Sequence, residues 1–171
     1  MTTEDRTKLL HVLNTGREAW LESLQGATNI TQQPEPGKWS VLEIAEHVAM
    51  VEGRLLGLIR NSPRVENAPA ADTAREDGFV EMISSRVERA TAPEVVVPHG
   101  EVKSLEEAIA AFEAARANSI ALVESGEDLR SISTKHMRFG QVSGYEMALI
   151  MASHPTRHAR QVAEARAAVG G

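Results

Sequence analysis

Apolar residues recur at three- and four-residue steps along four long stretches of this chain and one shorter one, the period of amphipathic helices. Leu9, Leu10, Val12, Leu13, Trp20, Leu21 and Leu24 mark a first helix from about Thr3 to Gln25, closed by Gly26. The polar run that follows contains Pro34, Pro36 and Gly37, which stop any helix. Ser40 and Glu43 then form a Ser-x-x-Glu capping box, in which each side chain satisfies a free backbone N–H at a helix start. This box launches a second helix, Val41 to about Arg60, with Ile44, His47, Val48, Val51, Leu55 and Leu58 as its inward stripe.

Asn61 to Ala71 is loop-like, with two prolines, and Thr73 to Ala90 reads as a shorter helix with Phe79, Met82, Ile83 and Val87 on its apolar side. The valines at 95–97, between Pro93 and Pro98, suit a short extended piece without an evident partner. Ser104 and Glu107 make another capping box, opening a helix that runs to about Glu124 and ends before Gly126. A long connection, Gly126 to Val142, precedes the last helix, and long ordered connections are often functional. That helix starts at a third box, Ser143 with Glu146, and stops at Gly170 and Gly171. There is no internal repeat. The pattern predicts a single all-α domain over 1–171, an antiparallel helical bundle with one additional shorter helix and long connecting loops.

Composition narrows the function. With 171 residues the chain is long enough to bury a core, and at 4% aromatics that core must be mostly aliphatic. The net charge of −6, with both signs interspersed, offers no basic patch for nucleic acid and little attraction to anionic membranes. The amino terminus lacks a signal-peptide pattern and no apolar run is long enough to span a bilayer, so a cytoplasmic protein is expected. Cysteine is absent, which excludes disulfides, thiolate ligands and a cysteine nucleophile.

The histidines carry the chemistry. His154 and His158 lie four residues apart, about 6 Å of helix rise, on the face that also carries Met147, Ile150, Met151 and Gln161. Two imidazoles so spaced can share a metal ion, and His47 on another inward face is a candidate third ligand. Taken alone, a histidine such as His47 on an apolar face is more often a hydrogen-bonded core residue, and an H-x-x-x-H pair also occurs by chance. Three imidazoles suit Zn, Ni, Fe or Cu and leave a position open for water or substrate. The H-E-x-x-H protease pattern is missing, because Pro155 follows His154, and no Glu-x-x-His pair supports a di-iron site.

The runs PEPGKWSVLEIAEHV, FGQVSGYEMA and HPTRHARQ resemble the landmarks of the DinB-like superfamily of metal-binding four-helix bundles. The most specific are W-S-x-x-E-x-x-x-H at the second helix and H-x-x-x-H-x-x-Q in the last. The resemblance implies an up-down-down-up bundle, often a homodimer, with His47, His154 and His158 as metal ligands. Characterised relatives include thiol S-transferases using bacillithiol or mycothiol and a mycothiol-dependent maleylpyruvate isomerase. The function expected is therefore a divalent Zn, Ni or Fe ion activating a low-molecular-weight thiol or water against a small electrophile, by transfer, hydrolysis or isomerisation. The competing reading is a non-catalytic bundle that binds a small molecule or a partner, its metal absent or structural.

Pro155 departs from the pattern, since it removes a helix hydrogen bond to the Met151 carbonyl; a kinked but continuous helix is expected there. Helpers are less sharply marked. Gln161 is placed to orient an imidazole or a bound water, or to make an ordinary interhelical hydrogen bond. Tyr145 and Arg157 are candidates to meet a substrate anion, with a solvated surface role the favoured alternative for Arg157, and His136 is a candidate to line the pocket mouth. Trp39 is expected to pack at the start of the second helix, and His11 and His99 at the surface or in loops.

Overall fold

Each long helix begins where a side chain takes over an N–H group that the helix leaves free. In the computed structural model, which describes residues 1–66, 70–87 and 91–171, α1 spans Thr3–Leu24 behind a capping box of Thr2 and Asp5. Helix α2, Val41–Asn61, starts at the Ser40–Glu43 box, and the last helix, Gly144–Val169, at the Ser143–Glu146 box. Between them lie α3, Thr73–Ser84, and α4, Leu105–Glu124. The box expected at α4 is only half formed. Ser104 accepts from the Glu107 N–H, but the Glu107 carboxylate accepts from the N–H of Lys103, one residue further out.

Side-chain pairings fix the directions. Along α1 and the last helix, designated α5, the Tyr145 hydroxyl meets the Asp5 carbonyl and Arg166 meets the Ser23 carbonyl, so these two run parallel. Arg17 pairs with Glu113 while Arg116 donates to the Leu13 carbonyl, so α1 and α4 run antiparallel. Val41 and Ile44 pack in one cluster with Ala108, Val162 and Ala165, whereas Leu55 and Ile59 pack with Leu122, Val123 and Met147 in another. Helix α2 is therefore parallel to α4 and antiparallel to α5. The result is an up-down-down-up four-helix bundle, as the sequence led us to expect.

The two clusters divide the core along its length, and on α5 His154 falls between Ala152 of one and Ala159, packed against the other. At the α3 end, Arg130 binds both Asp5 (2.6 and 2.8 Å) and Glu76 (2.7 Å) and lies over the Tyr145 ring. This joins α1, α3 and α5 through a single guanidinium.

Two expectations are corrected. Helix α3 ends at Ser84 and does not continue toward Ala90, which lies outside the described residues; Ser85 is extended and its carbonyl accepts from Arg157. Val87 consequently sits at 91% exposure, not on a buried face. The triple-valine segment is a short 3-10 turn, Glu94–Val96, with Val96 buried. The long connection after α4 contains a 3-10 turn, Leu129–Ser131, and an antiparallel hairpin of β1, Ser133–His136, and β2, Gly140–Ser143. Gly140 has φ +70°, the left-handed conformation that closes this turn with least strain. Four-residue strands carry too little alternation to show in the sequence, and the fold remains essentially helical.

Candidate metal centre

The W-S-x-x-E-x-x-x-H run acts as a unit. Ser40 and Glu43 start α2, and one turn further on His47 points into the bundle among Ile44, Ala45 and Val48. The Trp39 ring, partly buried, packs against the imidazole with centroids 4.8 Å apart. Nδ1 of His47 lies 2.7 Å from the Val96 carbonyl oxygen. A carbonyl only accepts, so Nδ1 carries the proton and Nε2 is left with its lone pair.

The preceding residue holds the other side of that contact. The buried Glu46 carboxylate accepts from the backbone N–H groups of His99 (3.0 Å), Gly100 (3.0 Å) and Glu101 (3.2 Å). Glu46 and Val96 escaped the sequence reading, because a backbone partner leaves no mark on residue type. The one available signal was a glutamate in the middle of an apolar helix face.

On α5 the helix runs unbroken through Pro155, so the helical placement of the two histidines is kept. Nε2 of His154 and Nε2 of His158 lie 2.9 Å apart. The His47 ring is 5.2 Å from the His154 ring and 4.8 Å from the His158 ring, centroid to centroid. One nitrogen from each of the three rings falls within 4.8 Å of the others, with His47 and His158 buried and His154 partly exposed. Three imidazole nitrogens so gathered could hold a metal ion. Two nitrogens each 2.0–2.1 Å from one ion sit roughly 3 Å apart, close to the separation seen.

Electrostatics keep the donors available. Burial, above all, pushes the imidazole pKa of each ring below the ordinary 6.5, and His154 and His158 are lowered further by neighbouring imidazoles and by Arg157. All three are neutral at pH 7, the form that coordinates. Among the described residues no carboxylate joins the group.

The secondary candidates divide. Gln161 is at the site: its Oε1 is 2.9 Å from Nδ1 of His158 and 3.3 Å from Nη1 of Arg86, a residue the sequence reading missed. Tyr145 is not. Nine residues before His154, about 13 Å along the helix axis, it is fully buried with its hydroxyl on the Asp5 carbonyl. Arg157 ties down the Ser85 carbonyl beyond α3. His136 stacks on Phe139 in the hairpin, its Nδ1 accepting from the N–H groups of Arg138 and Phe139. His11 and His99 are exposed.

Residues 6–162 match the DinB superfamily. The chain belongs to that superfamily. Solved structures of four-helix bundle proteins show a similar fold. TT2238, a four-helix bundle protein, is 21% identical, with 93% of this chain and 98% of that one covered at a TM-score of 0.58. YfiT from Bacillus subtilis, described as a probable metal-dependent hydrolase with an unusual four-helix bundle topology, is 13% identical. There the alignment covers 99% of this chain and 90% of YfiT, at a TM-score of 0.61. No curated protein matches the chain. Among the described residues, no helix of this DinB-superfamily chain is long and apolar enough to cross a membrane.

Proposed function

We propose that this DinB-superfamily chain is a metal-dependent enzyme acting on a small electrophile. In this reading His47, His154 and His158 hold one divalent transition ion, such as zinc, nickel or iron. The observation that carries it is the convergence of three neutral imidazole nitrogens within 4.8 Å between α2 and α5. A bundle needing only a core would place aliphatic side chains there, since each buried imidazole must find polar partners.

The chemistry such an ion supplies when bound is a pKa near neutrality for a thiol or water at its open position. The chain's own residues do the rest. Val96 and Gln161 fix the His47 and His158 rings, Trp39 shields the His47 face from water, and His154 is the ring nearest solvent. Three neutral ligands leave the ion's charge to be balanced by an anionic nucleophile, which favours a thiolate or hydroxide. The description of YfiT as a hydrolase supports water; the thiol-dependent relatives named above support a low-molecular-weight thiol cosubstrate.

Elemental analysis of the purified protein and of His47→Ala, His154→Ala and His158→Ala, with circular dichroism on each, tests the reading. One ion per chain is expected in the wild type and none in the variants, with helicity kept. Full metal retention in all three variants overturns it. Assays with thiols and with water against model electrophiles then decide between transfer and hydrolysis.

A further inference from the structure

Arginine carries N–H donors and no acceptor. Nη1 of Arg86 lies 3.3 Å from the Gln161 amide at Oε1, so the amide must turn its oxygen, and not its NH2, to that side. The same oxygen lies 2.9 Å from Nδ1 of His158. Facing an acceptor, Nδ1 must carry the ring proton, and Nε2 keeps its lone pair. The arm that brings Arg86 here is held at two further points: Nε of Arg86 pairs with Glu164 at 2.8 Å, and Arg157 donates to the Ser85 carbonyl.

We propose that Arg86 is a positioning residue of the histidine cluster: acting through Gln161, it locks His158 in the Nδ1–H tautomer and keeps Nε2 free as a donor. Without a donor-only neighbour, Gln161 can flip its NH2 toward His158 and stabilise the opposite tautomer, which blocks the coordinating nitrogen with a proton. The arrangement also assigns His154. Its Nε2 is 2.9 Å from the unprotonated Nε2 of His158, so in protein stripped of metal the proton between them belongs to His154. His154 is then the ring whose tautomer must change on metal uptake.

The consequence for metal affinity rests on the function proposed above, but the tautomers are read without any metal. Long-range 1H–15N correlation spectra of chelator-treated wild type, Arg86→Gln and Arg86→Lys provide the test, alongside Zn(II) competition titrations. Glutamine can accept as well as donate, whereas lysine, like arginine, only donates. We expect His47 and His158 as Nδ1–H and His154 as Nε2–H in the wild type and in R86K. In R86Q, His158 should become a tautomer mixture, with zinc affinity lowered about tenfold or more, the scale of losses at outer-shell partners. R86Q retaining a pure Nδ1–H signal and wild-type affinity overturns the proposal. So does R86K being as impaired as R86Q, because anchoring and not donor chemistry would then be responsible. If the wild type takes up no zinc, the metal reading fails by itself, and the spectra still decide the role of Arg86.

Discussion

Glu46 and His47 grip one loop from adjacent positions on α2: the Glu46 carboxylate accepts three consecutive N–H groups, from His99 to Glu101, while His47 donates to the Val96 carbonyl. The orientation of a candidate ligand is thus tied to a neighbouring carboxylate that is not among the gathered donors. Replacing Glu46 by Ala leaves three N–H groups without their acceptor. At roughly 1.5–3 kcal/mol for a hydrogen bond to a charged group, and with loop relaxation recovering part of the loss, we expect about 2–3 kcal/mol of destabilisation. Zinc affinity should fall as well, because the His47 ring loses its fixed acceptor. Urea denaturation and a zinc titration check both; an E46A variant as stable and as tight-binding as wild type would show that the loop holds itself.

The acid behaviour follows from burial. His47, His154 and His158 all have imidazole pKa values below the ordinary 6.5, so between their folded values and 6.5 the unfolded chain binds more protons than the folded one. Stability of the metal-stripped protein should therefore be complete above pH 6.5, decline as pH falls below it, and level off once the folded rings also protonate. Ordinary imidazoles would lose metal from about pH 6.5 downward. Here the loss should begin at lower pH, because protons compete only at the depressed folded values. Metal titrations and urea melts on both sides of pH 6.5 check this, and a metal affinity already falling at pH 6.5 would contradict it.

Beneath the cluster lies a second buried polar group. Arg116, with a side chain 0% exposed, donates to the Leu13 carbonyl (2.6 Å) and to Glu52 (2.9 Å), whose own exposure is 1%. Ser119 donates to the other Glu52 oxygen at 3.0 Å. Truncating one partner strands a charge in the core, so Glu52→Ala should cost about 3–5 kcal/mol. The double variant Glu52→Leu/Arg116→Met should lose far less, because it removes both charges and keeps the volume. Chemical denaturation of both variants measures the difference; equal losses would mean that packing, and not the stranded charge, sets the cost.

At Gly16, α1 packs close against the α5 backbone. A Cβ built there would stand 2.4 Å from the Ala152 carbonyl oxygen, two residues before His154. Alanine in a helix is favoured over glycine by roughly 0.5–1 kcal/mol. Forcing the two backbones apart costs about 1–3 kcal/mol, so the steric term wins. Gly16→Ala should lower the thermal midpoint despite its better helix propensity, and an unchanged or raised midpoint would show that α1 shifts without penalty.

Much of this protein was legible in the order of its residues. The apolar period located all five helices, and the Ser40–Glu43 and Ser143–Glu146 boxes set two of the starts to the residue. The same period put His154 and His158 on one face and His47 on an inward stripe, which is all that local geometry can supply. These features depend on neighbours within one or two turns, so residue type alone carries them. The end of α3, the Glu94–Val96 turn and the hairpin did not follow, because contacts such as Arg157 with Ser85 and the closeness of Arg64 to Ile132 join distant segments. Nor did the placement of Gln161 beside the histidines and of Tyr145 away from them. Both lie on α5, but only the packing of α2 and the post-α3 segment against it brings the cluster to Gln161 and leaves Tyr145 beneath Arg130. Periodicity and caps are local and written in side chains, whereas the groups that orient His47 and bind Glu46 are backbone atoms, identical at nearly every position and distinguished only by where the fold brings them.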